Sequence, residues 1–405
     1  MLLLLLLLGI NVFFAWRYAP LDIDPDFALF NMAGQVGSWY GKDFVDCKSP
    51  LVHIWFWLLS KLSNSLYGVR FIHYYLTGLP GIVYYWITGD FIGALAFVVL
   101  VHSGHLYAFH GNVGDIPAGL ILIALAVESP WIAVGLFLLA VLYEPKLFVA
   151  FAPWVYLNGL LTYSGAYMAI GIVAAAAIWY YKHRWWDWLV EANITVPAKM
   201  NENRKGLYPW FPQFTTVSIF YLGAWVVAAF VSGAEILFLL PGLIYLVFIF
   251  FGHVVRPNHL LPLIPFIAAS GLMPGLAIGL AAVDFISSGL YIGDIWNRFY
   301  PGLRTVIRAS RITGEYLKNK KGDLWVNSMF SEIYIWAKKP VKYNMTEQVE
   351  INACVPRRRE RMKVLLGKNP PRFVVDQPGS GLVFDNRGYN LIAENNYFKV
   401  YELMR

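Results

Sequence analysis

The chain has 405 residues, 58% of them hydrophobic and 14% charged, with a formal net charge of +7 and a mean hydropathy of +0.52. A water-soluble domain carries about 25% charged residues, so the composition excludes an ordinary soluble enzyme and points to a polytopic helical membrane protein. The two cysteines, Cys47 and Cys354, share no metal-type spacing and define no disulfide framework.

Seven leucines follow Met1 with no charged segment before them and no small-residue cleavage site after them, so Leu2–Ala19 reads as an uncleaved first span. Apolar runs of the kind a membrane-crossing helix requires recur near 69–87, 91–109, 112–128, 131–143, 146–162, 165–181, 216–232, 235–251, 259–272 and 275–293. With the first, they predict eleven spans. The run Pro50–Gly68 is shorter and aromatic-rich, with Lys61 near one end. It reads as an interfacial helix, because counting it as a span would separate the loop before it from the other polar loops. Lysines and arginines of the loops (Lys42, Lys48, Lys182, Arg184, Arg256) gather on one side. The positive-inside rule assigns that side to the cytoplasm, whereas recruitment of cations for an anionic substrate would produce the same bias.

The segment Leu21–Leu51 concentrates charge between apolar runs: Asp22, Asp24, Asp26, Lys42, Asp43, Asp46 and Lys48. Charge at the edge of an apolar region is expensive to desolvate and marks a functional site by default. Asp24 and Pro25 read as the N-cap and first position of a short amphipathic helix, so capping competes with chemistry for Asp24. Asp26, inside the first turn, is not needed as a cap and is the better general base. A carboxylate here could equally hold a hard divalent cation, with Asp24, Asp26 and Asp115 the available oxygen ligands; no metal or other cofactor is expected. Lys48 is placed to hold a phosphate as a point charge, with Tyr40 as a hydrogen-bond donor beside it, against the plainer reading of a snorkelling lysine in a surface turn.

Composition changes near Trp296: the remainder holds 20 of the 32 lysines and arginines and no long apolar run. A helix over Leu303–Leu317, strands over 323–327, 372–376 and 398–403, a short helix in FSEIYIWA and a basic helix over Arg357–Leu366 predict a small open α/β sheet. No glycine-rich phosphate fingerprint follows any of these strands. The chain is thus expected to divide into a transmembrane domain, 1–293, whose catalytic loop is 20–68, and a C-terminal α/β domain, 294–405. The basic PRRRER stretch is solvated charge or a docking patch for an acceptor or lipid headgroups. Nucleic acid is not an expected partner.

The run D-x-D-F-A-x-F-x-x-A-G-Q (Asp24–Gln35), followed by Y-x-x-D-F-x-D-x-K-x-P-L (Tyr40–Leu51), resembles the first external loop of GT-C glycosyltransferases. It is closest to the branch of polyprenyl-phosphate-mannose protein mannosyltransferases and lipid A aminoarabinose transferases. HGNVGDIP (His110–Pro117) resembles a second external loop with another acidic residue, here Asp115. RPNHLLPLIPF (Arg256–Phe266) resembles a late arginine–histidine segment, with leucine for the usual tyrosine after His259. The resemblance implies a GT-C fold and an enzyme moving a sugar from a polyprenyl-phosphate donor to a lipid, glycan or protein acceptor. It implies Asp26 or Asp24 as base and Lys48, Arg256, His259 and Tyr40 at the donor phosphate. Asp43, Asp46, Asp115, His110, Glu144 and Lys146 are further cavity candidates. It also implies a cell-membrane location among lipids, with the loop and the C-terminal domain outside the cytoplasm. K-S-P stands where many members have K-P-P, and D-F where many have D-E, which leaves the choice between Asp24 and Asp26 open. The other classes considered are a transporter or flippase of lipid-linked glycans, for which no internal repeat speaks, and a non-catalytic lipid-binding subunit.

Overall fold

Polar and proline punctuation, more than hydropathy, sets where the helices start and stop. The computed structural model describes residues 1–21, 25–39, 49–106, 114–168, 171, 211–252, 257–290, 302–328, 330–342, 356–378 and 384–404. The helices of the apolar part are α1 (Leu2–Tyr18), α2 (Pro25–Phe30), α3 (Met32–Val36), α4 (Pro50–Ser60), α5 (Leu66–Thr88), α6 (Phe91–Val101), α7 (Asp115–Ala126), α8 (Pro130–Tyr143), α9 (Phe148–Leu157), α10 (Phe211–Val231), α11 (Ile236–Gly252), α12 (Ile264–Ala268) and α13 (Pro274–Asp284). Three more follow towards the C-terminus: α14 (Leu303–Leu317), α15 (Glu332–Trp336) and α16 (Pro356–Lys368).

The expected polytopic GT-C architecture is corrected: among the described residues no helix is both long and apolar enough to cross a membrane. A crossing takes about 20 residues at about 1.5 Å each. The run 91–109 is helical over only the 11 residues of α6, which Asp90 starts by accepting the Gly93 N–H at 2.9 Å and which ends at His102. The run 112–128 yields the 12 residues of α7, and 146–162 a 3-10 turn followed by the 10 residues of α9. The run 259–272 is divided between a 3-10 turn and the five residues of α12, and 275–293 stops being α-helical at Asp284. Apolar content carried across these breaks made short helices look continuous. The multi-pass cell-membrane placement, with the loop and C-terminal region outside the cytoplasm, rested on those spans and is corrected with them.

The described residues group into two compact units, one drawn from Met1–Leu21, Arg70–Tyr181 and Lys205–Phe299, the other from Asp22–Val69 and Tyr300–Arg405. In the first, α7 and α8 form a close hairpin, and α6 is covered by α1, α12 and α13. Every residue of α6 from Gly93 to Val101 is buried, as expected of a helix that is apolar all round.

In the second unit the sheet has the order β1-β2-β4-β3, with β1 (Leu324–Asn327) parallel to β2 (Phe373–Asp376). Strand β4 (Lys399–Leu403) is antiparallel to β2 and to β3 (Tyr389–Glu394), with an irregularity between Leu391 and Ala393. Trp325, Val374 and Tyr401 form a core on the sheet, joined by Leu366, Phe384 and Tyr389. Helix α14 turns Ile307, Ser310, Thr313 and Leu317 inward at helical spacing. At Gly314 an added Cβ would lie 2.5 Å from Trp336 Cβ and 2.9 Å from the Ile333 carbonyl oxygen, so glycine sets how closely α14 and α15 approach.

Candidate functional site

Much of the acidic loop lies outside the described residues: Asp22, Asp24, Tyr40, Lys42, Asp43, Asp46 and Lys48, together with His110 and Arg256. Asp26 is the second residue of α2, following Pro25, and His259 falls in a 3-10 turn, Pro257–Leu263; their side chains are not described. Helix α4 opens as expected after Ser49, whose hydroxyl accepts the Leu51 N–H at 3.3 Å. Phe56 of α4 lies between Phe27 and Phe30 of α2, with ring centroids at 5.2 and 5.6 Å. Trp57 meets Trp39 at 5.2 Å, and the Lys61 ammonium sits 5.1 Å from the Trp57 ring. Gly34 of α3 faces Ser60 of α4 so closely that an added Cβ would fall 2.0 Å from its hydroxyl oxygen. The two ends of the loop are tied together: Arg70, fully buried, donates from a terminal guanidinium nitrogen to the Leu21 carbonyl at 2.5 Å.

Asp115, Glu144 and Lys146 are the three sequence candidates with described side chains. Glu144 and Lys146 form an ion pair at 3.7 Å, each about a quarter exposed. Asp115 opens α7 and is 1% exposed, and its Oδ2 lies 3.6 Å from Nε2 of the fully buried His73 on α5. That separation is too long for a hydrogen bond, and among the described residues neither Asp115 oxygen has a hydrogen-bond partner. Burial pushes the Asp115 carboxyl well above the usual carboxylate range. It also pushes the His73 imidazole down to about 3, an effect that His102 and Arg70 reinforce. Burial thus disfavours the charged form of both groups, and at 3.6 Å their contact is not a hydrogen bond. The Tyr143 hydroxyl, close enough to feel Asp115, is also buried without a hydrogen bond among the described residues.

A second buried cluster surrounds Asp284 at the end of α13. Ser103 donates to Asp284 Oδ1 at 2.7 Å, and Ser288 donates to the Asp284 carbonyl at 2.8 Å. The chain continues past Asp284 as a π-helical stretch, Phe285–Leu290, a rare conformation that is frequent at functional sites. His105 Nε2 lies 2.9 Å from Ser287 Oγ, and Ser218 donates to the His105 carbonyl at 2.6 Å. Burial raises the Asp284 carboxyl to about 6, against its hydrogen bonds, which lower it. Next to this cluster His102 Nε2 meets Asn11 Oδ1 at 2.9 Å, and Asn11 donates to the Tyr75 carbonyl at 2.8 Å. Tyr18 donates to the His102 carbonyl.

The sequence reading missed Arg70, His73, His102, Ser103 and Asp284. Each is a polar or ionisable residue inside a run read as a span, and the rule that singled out the acidic loop applies to them equally. Chemically, the first cluster offers a carboxyl group, an imidazole and a phenol buried together, with the Asp115 and Tyr143 side-chain oxygens lacking hydrogen-bond partners among the described residues. Among the described residues no group of three His, Cys, Asp or Glu is arranged to hold a metal ion. No family model matches the chain, and neither a characterised protein nor a solved structure does.

Proposed function

We propose that the chain transfers a sugar from a polyprenyl-phosphate-linked donor to a lipid, glycan or protein acceptor, with inversion at the anomeric carbon. The observation that carries this reading is the charge pattern of Asp24–Leu51, with paired aspartates at one end and Lys48 before Pro50 at the other. The acceptor hydroxyl or amine gives its proton to Asp26 (or Asp24) as its heteroatom bonds to the anomeric carbon. The bond from that carbon to the phosphate oxygen breaks, and the polyprenyl phosphate leaves as an anion. Lys48, with Tyr40, offsets the charge growing on that phosphate. No leaving-group acid is needed, because phosphate departs readily as an anion.

Two features support the reading. Asp26 follows Pro25 in the first turn of a helix, where the helix dipole favours a carboxylate. The loop's ends are tied by Arg70 and Leu21, which limits the freedom of a segment that must present charges in register.

The test uses purified full-length chain, a radiolabelled polyprenyl-phosphate sugar and a mixed extract as the acceptor source. Wild type should consume donor. The base aspartate changed to Asn should lower turnover by about 10²–10⁴-fold, as loss of a general base does, and Lys48→Ala should weaken donor use. Full transfer by both Asp24→Asn and Asp26→Asn would remove the base assignment. No donor consumption by wild type would remove the function.

A further inference from the structure

Helices α2 and α3 are six and five residues long, far below the length at which an isolated helix is stable in water. Something outside them holds their shape. Phe27, Ala28, Leu29 and Phe30 are consecutive and each at most 1% exposed. Four consecutive helical residues point in directions spread around the whole axis, so α2 is covered on every side, which one neighbouring helix cannot do. Helix α4 covers one side through Phe56. Helix α15, about 300 residues further along the chain, packs on both α2 and α3.

Helix α15 is itself anchored. Its Tyr334 hydroxyl oxygen accepts the Val326 N–H of β1 at 2.9 Å. Its buried Glu332 accepts from Ser310 of α14 at 2.5 Å. Ile333, Tyr334, Ile335 and Ala337 are all buried. Beyond α3 the chain turns through Gly37 in the left-handed conformation (φ 70°), and the Ser38 N–H returns to the Met32 carbonyl at 3.3 Å. There the fully buried Ser38 hydroxyl oxygen accepts the Val341 N–H at 2.8 Å.

We infer that the segment Ser331–Val341 is the positioning element for the helices that carry Asp26, acting through the packing of α15 on α2 and α3 and through the Val341–Ser38 hydrogen bond. The acidic loop and the C-terminal region are then one working module, although 303 positions separate the bonded residues. The consequence for turnover rests on the glycosyl-transfer reading; the consequence for loop order does not.

Two single variants of the full chain test this, with amide hydrogen exchange as the first readout. Ser38→Ala removes the acceptor and leaves a buried N–H unsatisfied; Val341→Pro removes the donor. Exchange over Asp26–Val36 should accelerate about tenfold or more in each, the effect of orphaning a buried hydrogen-bonding group, while exchange over Phe91–Val101 stays at the wild-type rate. The double variant should exchange no faster than the faster single, because both changes remove one bond. In the transfer assay, turnover should fall about tenfold with less than about threefold change in donor KM, the signature of a group that aligns rather than binds. Unchanged exchange over Asp26–Val36 in Ser38→Ala would overturn the inference, and so would faster exchange with wild-type turnover. If wild type transfers no sugar, the function proposed above fails, and the exchange result still decides whether the C-terminal segment orders the loop.

Discussion

In the helical unit Asp115 is 1% exposed and neither of its oxygens is hydrogen-bonded among the described residues. In the mixed unit Glu332 is fully buried and its Oε1 accepts from Ser310 at 2.5 Å, and Asn327 donates to Asp376 at 2.5 Å across β1 and β2. The contrast separates two uses of buried polarity. A satisfied group fixes how elements meet; an unsatisfied one lowers stability and persists where something else requires it. The acidic loop belongs to the unit that holds Glu332 and Asp376; the unspent hydrogen-bonding capacity of Asp115 and Tyr143 lies in the helical unit, where Asp284 by contrast accepts from Ser103.

Breaking the packing that shapes the loop should have the largest effect. Phe56→Ala removes the ring between Phe27 and Phe30 and should cost about 3–5 kcal/mol. Amide exchange over α2–α4 would measure it, and a loss confined to the helical unit would contradict the division into units.

A pH experiment probes the helical unit through Asp284. Its folded pKa of about 6 exceeds the ordinary 3.8. The folded state therefore holds the proton more tightly than the unfolded chain. The stability this gives is fully present below pH 3.8 and is lost as pH rises through about 6. Asp284→Asn cannot ionise, so relative to wild type it should gain on the order of 3 kcal/mol between pH 4 and pH 7. Urea unfolding at the two pH values reads the difference, and a variant parallel to wild type would show that the carboxyl is not buried as described.

The comparison sharpens with one substitution in each unit. Ser310→Ala leaves the Glu332 carboxylate short of a donor and should cost about 1–3 kcal/mol. Asp115→Asn breaks no hydrogen bond and removes a buried carboxyl whose raised pKa costs stability as pH rises, so at pH 7 it should stabilise the chain relative to wild type. If instead Asp115→Asn costs as much as Ser310→Ala, the Asp115 carboxyl has a partner and the contrast fails.

The sequence carried local structure further than it carried breaks. Helix α14 spans the residues its amphipathic spacing indicates, and β1, β2 and β4 fall inside the expected segments. Strand β3 was missed because Tyr389–Glu394 is an edge strand that is half-buried or exposed throughout, without the apolar run that marked the others. The runs taken for spans failed at His102 and Asp284, single residues that a hydropathy window averages away. The same averaging hid His73, His102 and Asp284 as site residues. The Val341–Ser38 bond could not be read at all, because nothing local in either segment signals a partner 303 positions away.

The smallest expected effect concerns charge at the surface of the mixed unit. Lys342 donates to Asp323 at 2.6 Å, with the two side chains 53% and 43% exposed. The geometry is good, but water competes for both groups and two flexible side chains must be held, so Lys342→Ala should cost at most about 1 kcal/mol. Salt separates this pair from the buried contact. At 0.5 M salt the screening length falls to a few ångströms, which should erase most of the Lys342→Ala difference. His73 and Asp115 are buried, where mobile ions screen far less than at the surface, so the stability difference between His73→Ala and wild type should be nearly the same at 0.05 and 0.5 M salt. A His73 effect that shrinks with salt would mean that the pair is charged and wet, and would move Asp115 from the unspent groups of the helical unit to its ordinary ion pairs.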